Sequence, residues 1–95
     1  MVIGIGSIVL RIPGNCSLKG KRKIVKSVVG KIRNTFNASA AEIADNDVLQ
    51  RAEIGFALVG NDRRYINSKL DKVFNMVDDI HVAEIIDSKA EIISL

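Results

Sequence analysis

The stretch VIGIGSIVLRIPGNCSLKGKRKIVKSVVGKIRNTF, residues 2–36, decides the fold, because the period of its apolar residues changes partway along. Val2 to Ile12 is rich in β-branched residues and is followed by the turn chemistry of Pro13-Gly14-Asn15, so it reads as a strand. One face carries Val2, Gly4, Gly6, Ile8, Leu10 and Ile12, the other Ile3, Ile5, Ser7, Val9 and Arg11. A strand apolar on both sides is central, covered or at an interface. Beyond the turn, Leu18, Val25, Val28, Val29, Ile32 and Phe36 recur at helical intervals, with Ser17 placed as N-cap. The spacing predicts a helix over residues 18–35, weakened at Gly20 and Gly30 by up to about 1 kcal/mol each relative to alanine. Asn37 is placed to end it in a left-handed conformation.

Working outward, Ala38 to Ala44 alternates weakly and reads as a short edge strand, broken by Asp45-Asn46-Asp47. After an irregular bridge from Val48 to Arg51, Ala52 to Gly60 alternates well, with Ala52, Ile54, Phe56 and Leu58 on one face. Asn61 or Asp62 caps a second helix with the stripe Ile66, Leu70, Val73, Phe74 and Val77. Val82 to Leu95 returns to strand character, with an irregularity expected around Ser88-Lys89. The order β, α, β, β, α, β predicts an α+β two-layer ferredoxin-like sandwich: a four-stranded antiparallel sheet with both helices on one face. At 95 residues the chain is expected to form a single domain, 1–95. The uncovered sheet face, with Ile3, Ile5 and Val9, predicts self-association through that face or an edge, a homodimer being the simplest form.

The balance of 47% hydrophobic and 26% charged residues is that of a globular chain, and no run of about 18 apolar residues offers a membrane span. Met1 to Gly6 lacks the basic region and cleavage site of a secretory signal, and Cys16, alone, cannot form an internal disulfide. A cytoplasmic location is therefore expected, with no membrane partner. The net charge of +3 and pI near 9.2 are moderate, but the charge is unevenly placed. Lys19, Lys21, Arg22, Lys23, Lys26, Lys31 and Arg33 are half of the 14 basic residues and have no acidic residue among them. Asp78, Asp79, Glu84, Asp87 and Glu91 make the C-terminal stretch acidic against Lys89.

Cations at a helix N-terminus oppose its dipole at a cost of some tenths of a kcal/mol each. Free backbone amides, the dipole and several cations together suit a phosphate or similar anion. The residues expected to hold it are Ser17, Lys19, Lys21, Arg22, Lys23, Lys26 and Arg33; Lys19, Arg22, Lys26 and Arg33 stack along one side at intervals of three, four and seven. RNA is the expected polyanion. A charged solvent face that serves only solubility is the competing reading. With three Phe, one Tyr and no Trp, base stacking on an aromatic sheet is disfavoured.

Other chemistries find no support. Cys16 has no partner residue nearby in sequence, and His81 is the only histidine. Glu42, Asp45 and Asp47 match no oxygen-ligand loop, so neither a metal nor a cofactor is expected. Gly4-Ile5-Gly6 lies inside a strand and lacks the third glycine of a dinucleotide fingerprint. The first strand-to-helix loop lacks the arginine that acyl-phosphate hydrolases of ferredoxin-like fold require. No catalytic residue is assigned, and the chain is expected not to be an enzyme.

Taken together, Ile12-Pro13-Gly14, Ser17-Leu18-Lys19 with Lys21-Arg22, Phe36 to Glu42, Gln50-Arg51-Ala52 and Asn61-Asp62 resemble the YlxP-like family of small bacterial proteins of unknown function. The likeness covers nearly the whole chain. It implies a ferredoxin-like fold and, from the company such genes keep, a place near the ribosome in its maturation or in translation. It adds Glu42, Gln50 and Arg51 as supporting motif positions, which either shape the same surface or pin the bridge before the third strand. The sequence departs from the pattern at Gly20, where the family carries a glutamate that would complete a capping box with Ser17. The leading expectation is a binding protein that contacts RNA or ribosomal phosphates through its first helix. Behind it stand a homo-oligomeric structural or protein-interaction module, and then a small enzyme acting on a phosphorylated substrate.

Overall fold

The computed structural model describes residues 1–95. Its elements run β1 (Val2–Arg11), α1 (Leu18–Phe36), β2 (Ser39–Ala44), β3 (Arg51–Gly60), α2 (Arg63–Asp78) and β4 (Glu84–Ser94). The four strands form one antiparallel sheet in the order β2-β3-β1-β4, and the helices share one face of it. This is the α+β ferredoxin-like arrangement that the switch from alternating to helical periodicity predicts.

The sheet order explains why β1 is apolar on both sides. It lies inside the sheet, hydrogen-bonded to β3 on one flank and to β4 on the other. Ile8 and Leu10 face the helices and are fully buried; Val9 is buried on the opposite side, while Ile3 and Ile5 are partly open. On β3, Ala52, Ile54, Phe56 and Leu58 meet the helices, and Ile66, Leu70, Val73 and Val77 of α2 join them in one buried core. Burying each of these larger aliphatic side chains contributes about 1.5–3 kcal/mol. Phe74, the fifth member of the stripe, is half-buried and meets Phe56 edge to face, with ring centroids 5.7 Å apart.

Gly4 and Gly6 are packing devices. A Cβ on Gly4 would lie 2.6 Å from Cγ2 of Ile66, and one on Gly6 would overlap the Phe56 ring. Their bare backbone lets α2 and Phe56 settle against the centre of the sheet.

The boundaries differ from expectation in three places. Arg51, assigned to the bridge, opens β3 and pairs with Arg11 in register. The irregularity in β4 sits at Ile86, between the Val9–Asp87 and Leu10–Ile85 pairs, and not at Ser88-Lys89. The extra residue there is a β-bulge on an edge strand, where such bulges concentrate. Val82 and Ala83 precede the strand, because His81 takes a left-handed conformation (φ 62°) that turns the chain before it. Asn37, at φ 51°, ends α1 as its sequence position suggests.

Two glycine substitutions separate packing from propensity. Gly6→Ala should lower stability by about 1–3 kcal/mol, as overpacking does in a filled core. Gly30→Ala, where an added Cβ meets nothing within 4 Å, should raise it by about 0.5–1 kcal/mol. Urea unfolding midpoints at unchanged m-value measure both; a neutral Gly6→Ala would refute the account of Phe56.

Candidate anion-binding face

The helical layer carries the positive charge of this molecule. Helices α1 and α2 hold 11 of the 14 basic residues and 2 of the 11 acidic ones, a net +9. The strands and loops hold the other 3 basic and 9 acidic residues, a net −6. The sandwich is therefore polarised across its thickness, far more than the overall +3 suggests.

On α1, Lys19, Arg22, Lys23, Lys26 and Lys31 are exposed, and none of them makes an ion pair. From Lys19 to Lys31 they span about 18 Å of helix axis. Like charges at i and i+4, such as Lys19 with Lys23 and Arg22 with Lys26, destabilise a helix by about 0.2–0.5 kcal/mol per pair. The helix persists because Val25, Val28, Val29, Ile32 and Phe36 are buried on its other side. At its N-terminus Ser17 Oγ accepts from the Gly20 amide at 3.0 Å, and the first turn holds no acidic residue.

Two residues expected on this face are committed elsewhere. Lys21 is 1% exposed and points into the sandwich, where its Nζ lies 3.0 Å from Oε2 of Glu42 and donates to the Asp45 carbonyl. Glu42 Oε2 receives charge but no aligned hydrogen bond at that separation. Lys21 shares the inner stripe of the helix, four residues before Val25, so it cannot meet an external phosphate. Arg33 is also withdrawn from that role: its Nε and Nη2 donate to the Ala40 carbonyl on edge strand β2, at 3.0 and 2.6 Å.

The supporting motif residues hold the loop that leads from β2 to β3. Arg51 Nε donates to Asp45 Oδ2 at 2.9 Å, Gln50 Nε2 to the Asn15 carbonyl at 3.3 Å, and the Ile12 amide to the Gln50 carbonyl at 2.9 Å. Asn15 Nδ2 reaches both the Ser17 carbonyl (2.9 Å) and the Leu49 carbonyl (2.5 Å). Gly20 makes this possible, since a Cβ there would fall 2.5 Å from Asn15 Oδ1. Any side chain at residue 20 would crowd the Asn15 amide and press on the Ser17 hydroxyl, so the bare backbone there and the Asn15 clamp belong together. Glu42, Gln50 and Arg51 thus tie the loop to the start of α1. Cys16 is exposed, its thiol within 3.4 Å of the Gly14 carbonyl, and His81 is remote from it in the chain.

The contribution of α2 does not emerge from the apolar periodicity. Arg63, Arg64, Lys69 and Lys72 extend the basic layer past α1, a signal that counting charges by element reveals. Lys69 donates to the Phe36 carbonyl at 3.4 Å and sits 5.2 Å above the centre of the Tyr65 ring, so it also joins the two helices. Arg63 Nη1 lies 3.4 Å from Ser94 Oγ; Arg64 and Lys72 are exposed without an ion pair.

Comparison with known proteins agrees with this reading of the motifs. Residues 3–90 match a family described as a protein of unknown function, DUF503. The chain is similar to the uncharacterized protein YlxP of Bacillus subtilis (strain 168), with 36% identity over 62 residues, 65% of this chain and 67% of that protein. Among solved structures it is similar to a REP-associated tyrosine transposase bound to a REP hairpin, at 11% identity and a TM-score of 0.43. That match covers 98% of this chain and 56% of the transposase chain.

Removing one partner of the buried pair should be costly. Lys21→Met should destabilise by about 3 kcal/mol, the low end for a buried pair because Glu42 keeps some solvent contact. Lys21→Met with Glu42→Met should recover most of the loss; a double variant as unstable as the single would contradict the assignment. At the helix start, Gly20→Ala should be better tolerated in an Asn15→Ala background than with Asn15 present, the Ser17 hydroxyl 3.0 Å from the added Cβ holding any gain below about 1 kcal/mol. Equal effects in the two backgrounds, in thermal or urea unfolding, would show that Asn15 and Gly20 are independent.

Proposed function

We infer that this chain, which belongs to the DUF503 family of proteins of unknown function, is a binding protein that contacts RNA or ribosomal phosphates through the outer face of α1. The observation that carries this reading is the charge polarity of the sandwich. Exposed, unpaired cations on α1 oppose their own helix dipole and repel one another, costs that an external polyanion offsets. A polyanion laid along the helix meets Lys19, Arg22, Lys23 and Lys26, with Arg64 and Lys72 of α2 on the same layer. Its counterions are released on binding, which makes the affinity steeply salt-dependent.

The chemistry favours backbone contact over base recognition. Phe56 and Phe74 are packed against each other between the layers and Phe36 is buried, so no exposed phenylalanine platform is available for stacking. Tyr65 is exposed on α2 but lies beneath the Lys69 ammonium. The reading is therefore of a protein that tracks the phosphate backbone without base-specific contacts. The ribosome is proposed as the place where such RNA is met, in keeping with the expectation that the motif resemblance carries. No catalytic role is proposed.

Titration with single-stranded ribosomal RNA fragments across a range of salt concentrations tests this. The triple variant Lys19→Glu, Arg22→Glu, Lys26→Glu should reduce the magnitude of the slope of log K against log salt by about 2, three phosphate contacts at about 0.7 each. Lys89→Glu, on the opposite side of the sandwich, should leave the slope unchanged. An unaltered slope in the triple variant would end the proposal.

A further inference from the structure

The side of the sheet away from the helices has a shape suited to a copy of itself. Its centre is a shallow groove of about 680 Å³. On the β2-β3 half Ser39, Ala41, Gly55 and Ala57 are small, while Ile43 leans over Gly55 and Val59 stands exposed at the end of the half. On the β1-β4 half the outward residues are larger: Ile3, Ile5 and Ile93, with Lys89 and Glu91 along the outer strand. The register places Ser39, Ala57, Ile5 and Glu91 in one row across the sheet, and Ala41, Gly55, Ser7 and Lys89 in the next.

We propose that a second copy of this chain packs on this face, related by a twofold axis that runs between the sheets along the strand direction. That operation keeps each row at its own level and exchanges left for right. β1 of one copy then lies over β3 of the other, and β4 over β2. Ile5 fills the space above Ala57, Glu91 comes over Ser39, whose hydroxyl can donate to it, and Lys89 comes over Ala41. Large meets small where Ile5 lies over Ala57, and Ile3 over Val59 extends the apolar contact, as in the aligned packing of two sheets. An axis perpendicular to the strands instead would bring the apolar end of the sheet, at Ile3, Val59 and Ile93, against the charged end at Arg11 and Arg51.

Three further observations favour this occupant. The face spans about 20 by 30 Å at the usual strand and residue spacings, so two copies bury about 1,200 Å² in all, the lower limit of a stable specific interface. The charged groups of the face lie along β4 and at the Arg11–Glu84 and Arg51–Asp45 end, leaving an apolar centre with a polar rim. Edge pairing through β2 is disfavoured, because the Arg33 guanidinium already occupies the Ala40 carbonyl. The resulting dimer keeps both basic helical layers outward.

Sedimentation equilibrium of the full chain should give twice 10.4 kDa at micromolar concentration. Ala57→Lys should give a monomer, and Ile5→Glu combined with Ala57→Lys should restore the dimer by placing opposite charges in contact. In a mixed-label sample of the unaltered protein, an intermolecular Overhauser effect should join the Ile5 and Ala57 methyl groups, a readout that needs no variant. A 10.4 kDa species at all accessible concentrations, a dimer that survives Ala57→Lys, or a dimer without the Ile5–Ala57 effect would each overturn the proposal.

Discussion

A lysine ammonium almost wholly removed from water decides how the first helix meets the rest of the molecule. Burying an ionised amine is costly unless a counter-charge and hydrogen-bond acceptors meet it, and Lys21 has both in Glu42 and the Asp45 carbonyl. The consequences spread from there. Glu42 must face the helices from the last part of β2, and Asp45 must turn its carbonyl inward, which it does at a positive φ of 63°. Its carboxylate is then free to take Arg51, while Asn15 and Gln50 fasten the remainder of the loop to the start of α1. With Lys21 facing inward on the stripe of Val25, Val28 and Ile32, helical geometry sends Lys19, Arg22, Lys23 and Lys26 outward. One buried cation thereby fixes the orientation of four exposed ones.

The two sides of the sandwich have accordingly diverged in character. The helical side is densely cationic and pays in repulsion along α1; the sheet side is apolar at its centre and holds acidic groups at its margins. A face selected only for solubility would mix both signs. On the proposed reading, separation by layer lets each side meet a different kind of surface, a polyanion on one and a flat apolar partner on the other. Because the two sides lie on opposite faces of a single sheet, one kind of contact leaves the other unobstructed.

Much of this was legible in the sequence because it depends on local periodicity. Alternation in residues 52–60, the stripe from Ile66 to Val77 and the caps at Ser17, Asn37 and Asp62 are properties of neighbours in the chain, and the elements lie where those signals fall. The bulge at Ile86 was not legible, since it arises from the register of β4 against β1, a relation between segments some 80 residues apart. The roles of Lys21 and Arg33 were hidden for the same reason. A run of basic residues reads as one surface, yet Lys21 occupies an inner position of the helix, and Arg33 meets a carbonyl seven residues ahead that only the return of β2 brings near. Gly20 illustrates the limit most clearly. As a local signal it weakens a helix start, whereas in the fold it leaves room for Asn15 to clamp a loop 34 residues away.

The central claim is that the two faces are functionally distinct, and amide chemical-shift mapping tests it most directly. On adding ribosomal RNA to isotopically labelled protein, the account predicts perturbations on the outer side of α1, at Lys19, Arg22, Lys23 and Lys26, extending to Arg64 and Lys72. Ser39, Ala57 and Glu91 on the sheet should remain in place. Shifts centred on the sheet face, or none on α1 at low salt, would contradict it.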